Sequence, residues 1–173
     1  AIFPANGANT PVEILESDTP LLVEERGLVC DSGGAGKMRG GLGRRMVVRV
    51  PDDEKAPSGP TAIAVQAGRF RYPPEGLFGG RAGARAQFLR NGDPADPSGL
   101  TFCENGDRIS FYSAGGGGVG DPLERDIEAV ERDVDLGYVS IDKARLEYGV
   151  VIDPATGRAD RSATDGVRRS RAG

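Results

Sequence analysis

The 173-residue sequence contains no histidine, and this absence narrows the chemistry that its side chains can perform. Ser-His-Asp and Cys-His catalysis need an imidazole as the base, and His-ligated zinc sites and HExxH metalloproteases need one as a ligand. Cys30 and Cys103 are too few for a four-cysteine zinc site, and we expect them to be reduced, partly buried thiols. Acid–base chemistry would have to come from carboxylates, Arg, Lys, Ser or Tyr. We therefore assign no catalytic residue and no metal ligand to this chain.

A G-x-G-x-x-G motif over residues 115–120 has the spacing of a dinucleotide-binding fingerprint. The helix predicted after it begins with acidic residues, among them Asp121 and Glu124, which would repel a pyrophosphate at the helix N-terminus. A second helix, instead of a strand with an acidic residue, is predicted after Gly137. We therefore interpret glycines 115–118 as a tight crossing of backbone against backbone and expect no cofactor to be bound by this chain.

A second glycine-rich loop, over residues 33–38, resembles a phosphate-binding loop only in part. Asp31 stands where the Walker motif needs glycine, and Met38 stands where it needs the hydroxyl that binds magnesium, so we do not expect nucleotide binding. Backbone amides together with Lys37 and Arg39 could hold a carboxylate or a phosphate. Paired turns with solvated basic side chains are the simpler interpretation of the same pattern.

The polar stretch Asn9-Thr10-Pro11, followed by Glu13, is dense for the start of a strand. It could form part of a binding site, and a hydrogen-bonded turn explains it equally well. If residues 12–16 form a strand, Glu13 and Glu16 face opposite sides of it, which argues against a shared acid–base site.

Short alternating segments bounded by Gly, Pro, Asn and Asp clusters predict β-structure over residues 1–113. This spacing favours a β-rich α+β fold, an antiparallel β-sandwich or open barrel, over alternating βαβ units. The predicted strands are Val12–Glu16, Leu21–Glu25, Met46–Val50, Thr61–Gln66, Ala86–Arg90, Leu100–Cys103 and Arg108–Ser113.

The hydrophobic period changes to that of a helix after Gly120. Asp121 is a good N-cap, and Gly137 is a natural helix stop. A second helix is predicted from Ser140 to Gly149, and a short strand, a turn and a weak helix are predicted at 150–152, 154–157 and 159–171. We therefore predict a β-rich domain over residues 1–120 and a helical C-terminal appendix over residues 121–173 packed on it.

Charge and hydrophobicity exclude several classes of partner. The net charge is −4, from 22 basic and 26 acidic side chains, which lacks the positive footprint of a nucleic-acid binder. The sequence has neither an unbroken apolar run of about 18 residues nor the features of a secretory signal, so we expect a cytoplasmic protein without a membrane partner. The first residue is Ala1, which suggests a processed chain or a piece of a longer one.

Several strings, in this order, resemble the C-terminal part of the hydantoinase B/oxoprolinase family, the B-type subunit of ATP-dependent hydantoinases. The same region occurs in 5-oxoprolinases and related ketone carboxylases, and the resemblance runs from about residue 6 to residue 153. The strings are Asn9-Thr-Pro-Val-Glu13, Asp31-Ser-Gly-Gly-Ala-Gly36, Arg39-Gly-Gly-Leu-Gly43, Gly76-Leu-Phe-Gly-Gly80, Gly115-Gly-Gly-Gly-Val-Gly-Asp-Pro122 with Glu124-Arg125, and Tyr148-Gly-Val-Val-Ile-Asp153.

The resemblance implies a division of labour between subunits. An A-type partner uses ATP and Mg²⁺ to phosphorylate the substrate, and the B-type subunit then performs hydrolysis or carboxylation. The metal site of some members lies in the N-terminal bulk of the B-type subunit, which this chain does not contain. The implied partners of this chain are therefore that bulk, the A-type ATP-binding subunit and a small cyclic amide, and we expect the chain alone to be inactive.

The function that we expect from the resemblance is a part in ATP-dependent ring opening of a hydantoin or 5-oxoproline. A ketone carboxylase subunit and a non-catalytic scaffold or assembly domain are the alternatives. If the glycine-rich loops form one wall of an active site, the candidate binding residues are Asn9, Glu13, Asp31, Ser32, Lys37 and Arg39. A domain of a larger subunit should also expose an apolar patch where the rest of that subunit packs.

Overall fold

The computed structural model describes residues 10–54 and 56–171. These residues form four α-helices, one short 3₁₀ helix and seven β-strands. The helices are α1 (Val12–Asp18), α2 (Ile127–Asp135), α3 (Ile141–Tyr148) and α4 (Arg161–Arg171), with the 3₁₀ helix at Pro122–Glu124. The strands are β1 (Leu22–Leu28), β2 (Arg44–Arg49), β3 (Thr61–Ala64), β4 (Gln87–Arg90), β5 (Asp93–Pro94), β6 (Leu100–Cys103) and β7 (Arg108–Tyr112).

The strands form two sheets. Five of them make an antiparallel sheet in the order β1-β2-β7-β4-β5. The other two, β3 and β6, pair antiparallel, with Thr61 opposite Cys103 and Ala64 opposite Leu100. The expected β-rich α+β class is confirmed, and the described residues form open sheets with no closed barrel.

The described chain divides into two compact units. The first takes in residues 10–26, 46–66 and 88–110, and the second takes in residues 27–45, 67–87 and 111–171. The glycine-rich segments and the C-terminal helices therefore belong to the same unit. The domain boundary that the sequence suggested at residue 120 stays a prediction.

The prediction of a strand over Val12–Glu16 is wrong, because these residues lie in α1. Val12, Leu15 and Thr19 are half-buried and recur at a spacing of three to four residues, which is the helical period. Pro11 precedes the first helical residue, and the Leu15 carbonyl accepts hydrogen bonds from both the backbone N–H and the hydroxyl of Thr19. Glu13 and Glu16 therefore do not face opposite sides as a strand would require.

A buried carboxylate organises the turns of the first unit. Asp107 accepts hydrogen bonds from Arg90 Nη2 at 2.5 Å, from Asn91 Nδ2 at 2.7 Å and from the Glu104 backbone N–H at 2.7 Å. The hydrogen bond from Arg90 is the main cause of the lowered pKa of Asp107. This carboxylate fixes the turn between β6 and β7 and the start of β7, whose Arg108 N–H donates to Asn91 Oδ1.

The helical region is interrupted where the sequence predicted one continuous helix from Pro122. Asp121 caps only the 3₁₀ helix, and Arg125 then adopts an extended backbone with φ −65° and ψ 137°. Asp126 accepts a hydrogen bond from the Glu128 N–H and begins α2. The predicted stops at Gly137 and Gly149 are confirmed, because both have positive φ, +69° and +64°.

The core of the second unit is formed by residues of α2 and α3, of the segments next to these helices, and of the loop that contains Ala35. It contains seven buried residues: Ala35, Val130, Val139, Ala144, Tyr148, Val150 and Ile152. The strand predicted at 150–152 is reduced to a single bridge between Ile152 and Ala159, and α4 begins at Arg161. Both cysteines are free thiols, and Cys30 is exposed where a partly buried position was expected. None of the described helices is long and apolar enough to cross a membrane.

Candidate functional site

Three glycine-rich segments of the second unit, residues 32–43, 74–84 and 113–120, are joined to one another by backbone hydrogen bonds. We call them together the glycine lattice. The 113–120 segment bonds to both of the others: the Gly116 N–H donates to the Gly41 carbonyl at 2.8 Å, and the Gly118 N–H donates to the Arg81 carbonyl at 2.9 Å. The Arg81 N–H in turn donates to the Ala35 carbonyl at 2.7 Å, so the other two segments are also linked directly.

Side chains cannot replace the hydrogens of these glycines. A Cβ atom at Gly115 would lie 1.8 Å from the Ser32 carbonyl oxygen, and one at Gly117 would lie 1.9 Å from that of Glu75. A Cβ at Gly118 would lie 2.1 Å from the Ala35 carbonyl oxygen. Because the obstacles are backbone atoms, no side-chain rotation relieves them. The interpretation of glycines 115–118 as a backbone-on-backbone crossing is confirmed.

Backbone amides of the 115–120 segment form hydrogen bonds with the other lattice segments. Among residues 115–120, the N–H groups of Gly115, Gly116, Gly118 and Gly120 donate to the backbone carbonyls of Ala84, Gly41, Arg81 and Leu77. A pyrophosphate bound by a dinucleotide fingerprint would need such amides as donors. These four amides therefore join the segments to one another and are not free to bind a pyrophosphate.

A nearly buried charge cluster lies beside the lattice. The Asp133 carboxylate on α2 accepts hydrogen bonds from Arg39 Nε at 3.0 Å and from Arg125 Nη2 at 2.8 Å. The side chains of Arg39, Arg125 and Asp133 are only 15%, 14% and 9% exposed. Arg39 Nη1 also donates to the Gly40 carbonyl, and Arg125 Nη1 donates to the Lys37 carbonyl. The cluster thus ties the loop at 37–40 to the helices.

Two tyrosine rings lie against the guanidinium groups of this cluster. The guanidinium carbon of Arg39 lies 5.4 Å from the ring centroid of Tyr138, and that of Arg125 lies 6.0 Å from the ring centroid of Tyr148. Such cation–π contacts stabilise guanidinium groups that are partly removed from water. Burial raises the pKa of Tyr148 to about 12, although the neighbouring Arg125 opposes the rise. Tyr148 therefore stays a neutral phenol at physiological pH.

Asp31 and Ser32, at the start of the first lattice segment, hold the local backbone. Asp31 has a positive φ of 62°, and its Oδ1 accepts a hydrogen bond from the Ser140 N–H at the start of α3. The buried Ser32 hydroxyl donates to the Val29 carbonyl and accepts from the Gly43 N–H. Asp31 therefore joins two segments that are distant along the chain, and Ser32 joins the two ends of one loop.

Three predicted site residues remain: Lys37, Glu13 and Asn9. Lys37 forms an exposed ion pair with Glu124 at 3.0 Å, and Glu13 is an exposed residue of α1 in the first unit. Asn9 lies outside the described residues. The second unit thus contains Asp31, Ser32, Lys37 and Arg39, whose side chains have separate partners, and Arg39 is bound to Asp133 instead of being solvated.

A pocket of about 50 Å³ opens next to the lattice. Its wall includes Asp31, Gly33, Arg81, Lys143 and Tyr148. Lys143 and Arg81 both pair with Glu147, at 3.3 Å and 4.0 Å, so the charged groups on this wall are largely matched among themselves. A volume of this size accommodates a few water molecules.

Known proteins are similar to this chain in both sequence and fold. The family model described as hydantoinase B/oxoprolinase matches residues 1–122. The chain belongs to the hydantoinase B/oxoprolinase family. It is 38% identical to the beta subunit of the caprolactamase of Pseudomonas jessenii over 91% of this chain and 27% of that protein. It is 36% identical to an uncharacterized protein of Methanocaldococcus jannaschii over 83% of this chain and 25% of that protein.

A solved structure agrees with these relatives. The crystal structure of the ATP-dependent caprolactamase from Pseudomonas jessenii matches with a TM-score of 0.73 at 34% identity, over 92% of this chain and 28% of that one. A structure of nucleotide-free acetone carboxylase matches with the same TM-score at 25% identity, over 96% of this chain and 26% of that one. The chain spans about a quarter of the length of each of these relatives.

The sequence analysis missed the partners of Arg39 in this hydantoinase B-type fold. No local sequence pattern distinguishes Asp133 from the other acidic residues on α2. Only the fold brings it to Arg39. Arg125 and Tyr148 did stand in the strings that carried the family resemblance, but spacing alone could not join them. Among the described residues there is no group of three or more His, Cys, Asp or Glu side chains that could hold a metal ion.

Proposed function

We propose that this chain is part of a B-type subunit of an ATP-dependent cyclic-amide hydrolase, and that it supports the active site without supplying the reacting groups. The observation that carries the proposal is the 38% identity to the caprolactamase beta subunit, sustained over 91% of the chain. A relative from a Pseudomonas strain that is named for D-/L-hydantoinase is 33% identical over 86% of the chain. Both relatives are named for cyclic-amide substrates.

The contacts of the candidate residues support the positioning role. Asp31 accepts a hydrogen bond at the start of α3, Ser32 joins two ends of a loop, and Arg39 is bound to Asp133. Each of these three side chains forms its hydrogen bonds with groups of its own chain. In this proposal Asp31, Ser32 and Arg39 hold the wall of a site, and groups elsewhere in the enzyme perform the proton transfers.

ATP and Mg²⁺ belong, in this proposal, to the A-type partner. Two observations support this placement: the N–H groups of Gly116 and Gly118 donate to backbone carbonyls, and Lys37 is paired with Glu124. We therefore place nucleotide binding, and any catalytic metal, on polypeptide other than this chain.

A ketone carboxylase is the second candidate function. The acetone carboxylase alpha subunit of Xanthobacter autotrophicus is 29% identical over 88% of the chain, and the solved acetone carboxylase has the same TM-score as the caprolactamase. The fold therefore serves both reactions, and the higher sequence identity to the caprolactamase and hydantoinase relatives favours the hydrolase.

Reconstitution separates these two candidates. The full-length B-type subunit that carries this sequence would be combined with its A-type partner, ATP and Mg²⁺, and offered caprolactam, hydantoin and 5-oxoproline in one series and acetone with bicarbonate in another. We expect ATP-dependent release of a ring-opened amino acid and no carboxylation. Carboxylation of acetone without ring opening of any cyclic amide would overturn the hydrolase assignment.

A further inference from the structure

Four large apolar side chains stand exposed on one part of the glycine lattice. Met38, Leu77 and Phe78 are 68%, 59% and 87% exposed, and Val119 is 39% exposed. Val119 forms an antiparallel bridge with Met38 and a parallel bridge with Leu77, so the three side chains come from neighbouring backbone positions, and Phe78 follows Leu77. We call these four residues the lattice patch.

The backbone beneath the patch is held firmly. The N–H groups of Met38 and Val119 each donate to the carbonyl of the other at 2.9 Å, and the Leu77 N–H donates to the Gly118 carbonyl at 2.9 Å. The flanking glycines Gly36 and Gly80 leave no room for a Cβ, at 2.6 Å and 2.2 Å from backbone atoms. The apolar side chains are thus presented by a preorganised surface, which lowers the entropic cost of docking.

Phe78 stands in a backbone conformation that suits glycine better than phenylalanine. Its φ is +51°, in the left-handed region, where a residue with a Cβ costs about 1–2 kcal/mol. A bulky aromatic residue that is both strained and 87% exposed contributes little to the stability of this chain itself. Strain of this kind at an exposed position is typical of binding surfaces.

We propose that the lattice patch is the docking surface for the rest of the B-type polypeptide, which covers it with an apolar segment. The inference rests on the proposed function, because it assumes that this chain works inside a B-type subunit. In the relatives named above, the matched region is only 24–28% of the chain, so most of each relative's polypeptide lies outside it.

Area argues against a second copy of this chain as the occupant. The patch exposes on the order of several hundred Å², the size of the larger apolar patches on single proteins. A stable complex between separate molecules buries about 800 Å² on each side. A segment of the same polypeptide needs less area, because linkage raises its effective concentration.

Hydroxyl-radical footprinting read by mass spectrometry tests the inference without any turnover assay. Met38 and Phe78 would be compared between this chain alone and the full-length B-type subunit, with Leu146, which is 62% exposed on α3, as the reference position. We expect oxidation of Met38 and Phe78 to fall at least tenfold in the full-length subunit. Equal reactivity of Met38 and Phe78 in both proteins would overturn the inference.

The melting temperature of the variant Phe78→Gly provides a second test, because the inference predicts different changes in this chain alone and in the full-length subunit. In this chain alone it should leave the melting temperature unchanged or raise it, because glycine tolerates the positive φ. In the full-length subunit it should lower the melting temperature, whereas Leu146→Ser should act alike in both proteins. An equal effect of Phe78→Gly in both proteins would contradict the inference.

The other outcomes are also decisive. If light scattering shows that this chain forms a dimer which Phe78→Gly dissociates, the occupant is a second copy and the proposal is wrong. If Met38 is protected in an enzyme that carboxylates acetone, the docking surface is supported and the hydrolase function is wrong. If Met38 is unprotected in an enzyme that opens cyclic amides, the hydrolase function is supported and the docking surface is wrong.

Discussion

At the scale of single residues, Asp133 is the most consequential side chain of the second unit. It is 9% exposed and neutralises one of two nearly buried guanidinium groups, while Arg125 Nε is buried without a hydrogen-bond partner among the described residues. Removing one partner of a buried ion pair is costly because it leaves an uncompensated charge, whereas an exposed pair contributes little. These residues therefore differ sharply in their expected effects on stability.

The first prediction ranks three substitutions by their effect on the free energy of unfolding. Asp133→Ala should lower it by about 3–5 kcal/mol, because two guanidinium groups lose their carboxylate. Arg39→Ala should lower it by about 2–3 kcal/mol, because Asp133 keeps Arg125, and the matched exposed change Lys37→Ala by less than about 1 kcal/mol. Urea denaturation followed by circular dichroism measures all three. A Lys37→Ala effect as large as that of Arg39→Ala would contradict the structural assignment.

The second prediction distinguishes a structural from a charge-dependent role of Asp31. Asparagine keeps an oxygen acceptor for the Ser140 N–H and tolerates positive φ, so Asp31→Asn should change the free energy of unfolding by less than about 0.5 kcal/mol. Alanine loses the hydrogen bond and strains the backbone, so Asp31→Ala should cost about 2 kcal/mol. Thermal or urea unfolding of both variants provides the test. Equal destabilisation by the two variants would show that the charge matters.

At the scale of elements, the sequence predicted that the glycine run makes a close backbone crossing, but it did not predict which segments of the chain it crosses. The run at 115–118 indicated a close backbone crossing, and acidic Asp121 and Glu124 excluded the dinucleotide interpretation. The segments that cross it, 32–43 and 74–84, could not be identified, because backbone hydrogen bonds between distant segments leave no periodic pattern in the sequence.

Local signals also explain which elements were predicted correctly. Strand β6, the C-terminal end of α2 and both ends of α3 agree with the sequence, because alternation, an N-cap serine and stop glycines act locally. Helix α1 was missed because its seven residues contain two β-favouring side chains, Val12 and Ile14, and its packing decides the outcome. The break at Arg125 was missed because Asp121 and Asp126 both have capping chemistry, and only the fold shows that both are used.

The third prediction compares two adjacent glycines of the lattice. A Cβ at Gly40 would lie 2.0 Å from the Gly116 carbonyl oxygen, whereas one at Gly41 would meet nothing within 4 Å. Gly40→Ala should therefore lower the free energy of unfolding by at least about 3 kcal/mol or prevent folding, and Gly41→Ala should change it by less than about 1 kcal/mol. Expression in the folded fraction and thermal melting measure the difference. Similar behaviour of the two variants would contradict the packing of the lattice.

At the scale of the whole molecule, several carboxylates are held in their charged form by the fold. The pKa of Asp107 is lowered chiefly by Arg90, and that of Glu131 is lowered chiefly by the Ala159 backbone N–H. The pKa of Asp153 is lowered chiefly by the Ala155 backbone N–H. A carboxylate whose pKa is lower in the folded than in the unfolded state stabilises the fold above its unfolded pKa and loses this effect as the pH falls.

The fourth prediction follows from that sign. The free energy of unfolding should change little between pH 7 and about pH 5 and should fall steeply below about pH 4, as these carboxylates take up protons on unfolding. Asp107→Asn should reduce the steepness below pH 4 and lower stability at pH 7 by about 2–3 kcal/mol. Urea titrations at a series of pH values measure both effects. A stability that rises as the pH falls from 5 to 3 would contradict the lowered pKa values.

The proposed function assigns this chain the role of holding a glycine lattice in place within a larger enzyme. The most direct measurement is the steady-state rate of ATP-dependent ring opening by the reconstituted enzyme with Asp31→Asn in its B-type subunit. A positioning role predicts a kcat and a KM within about threefold of those of the unmodified enzyme. A loss of kcat of a hundredfold or more, at an unchanged melting temperature, would show that the Asp31 carboxylate takes part in the chemistry.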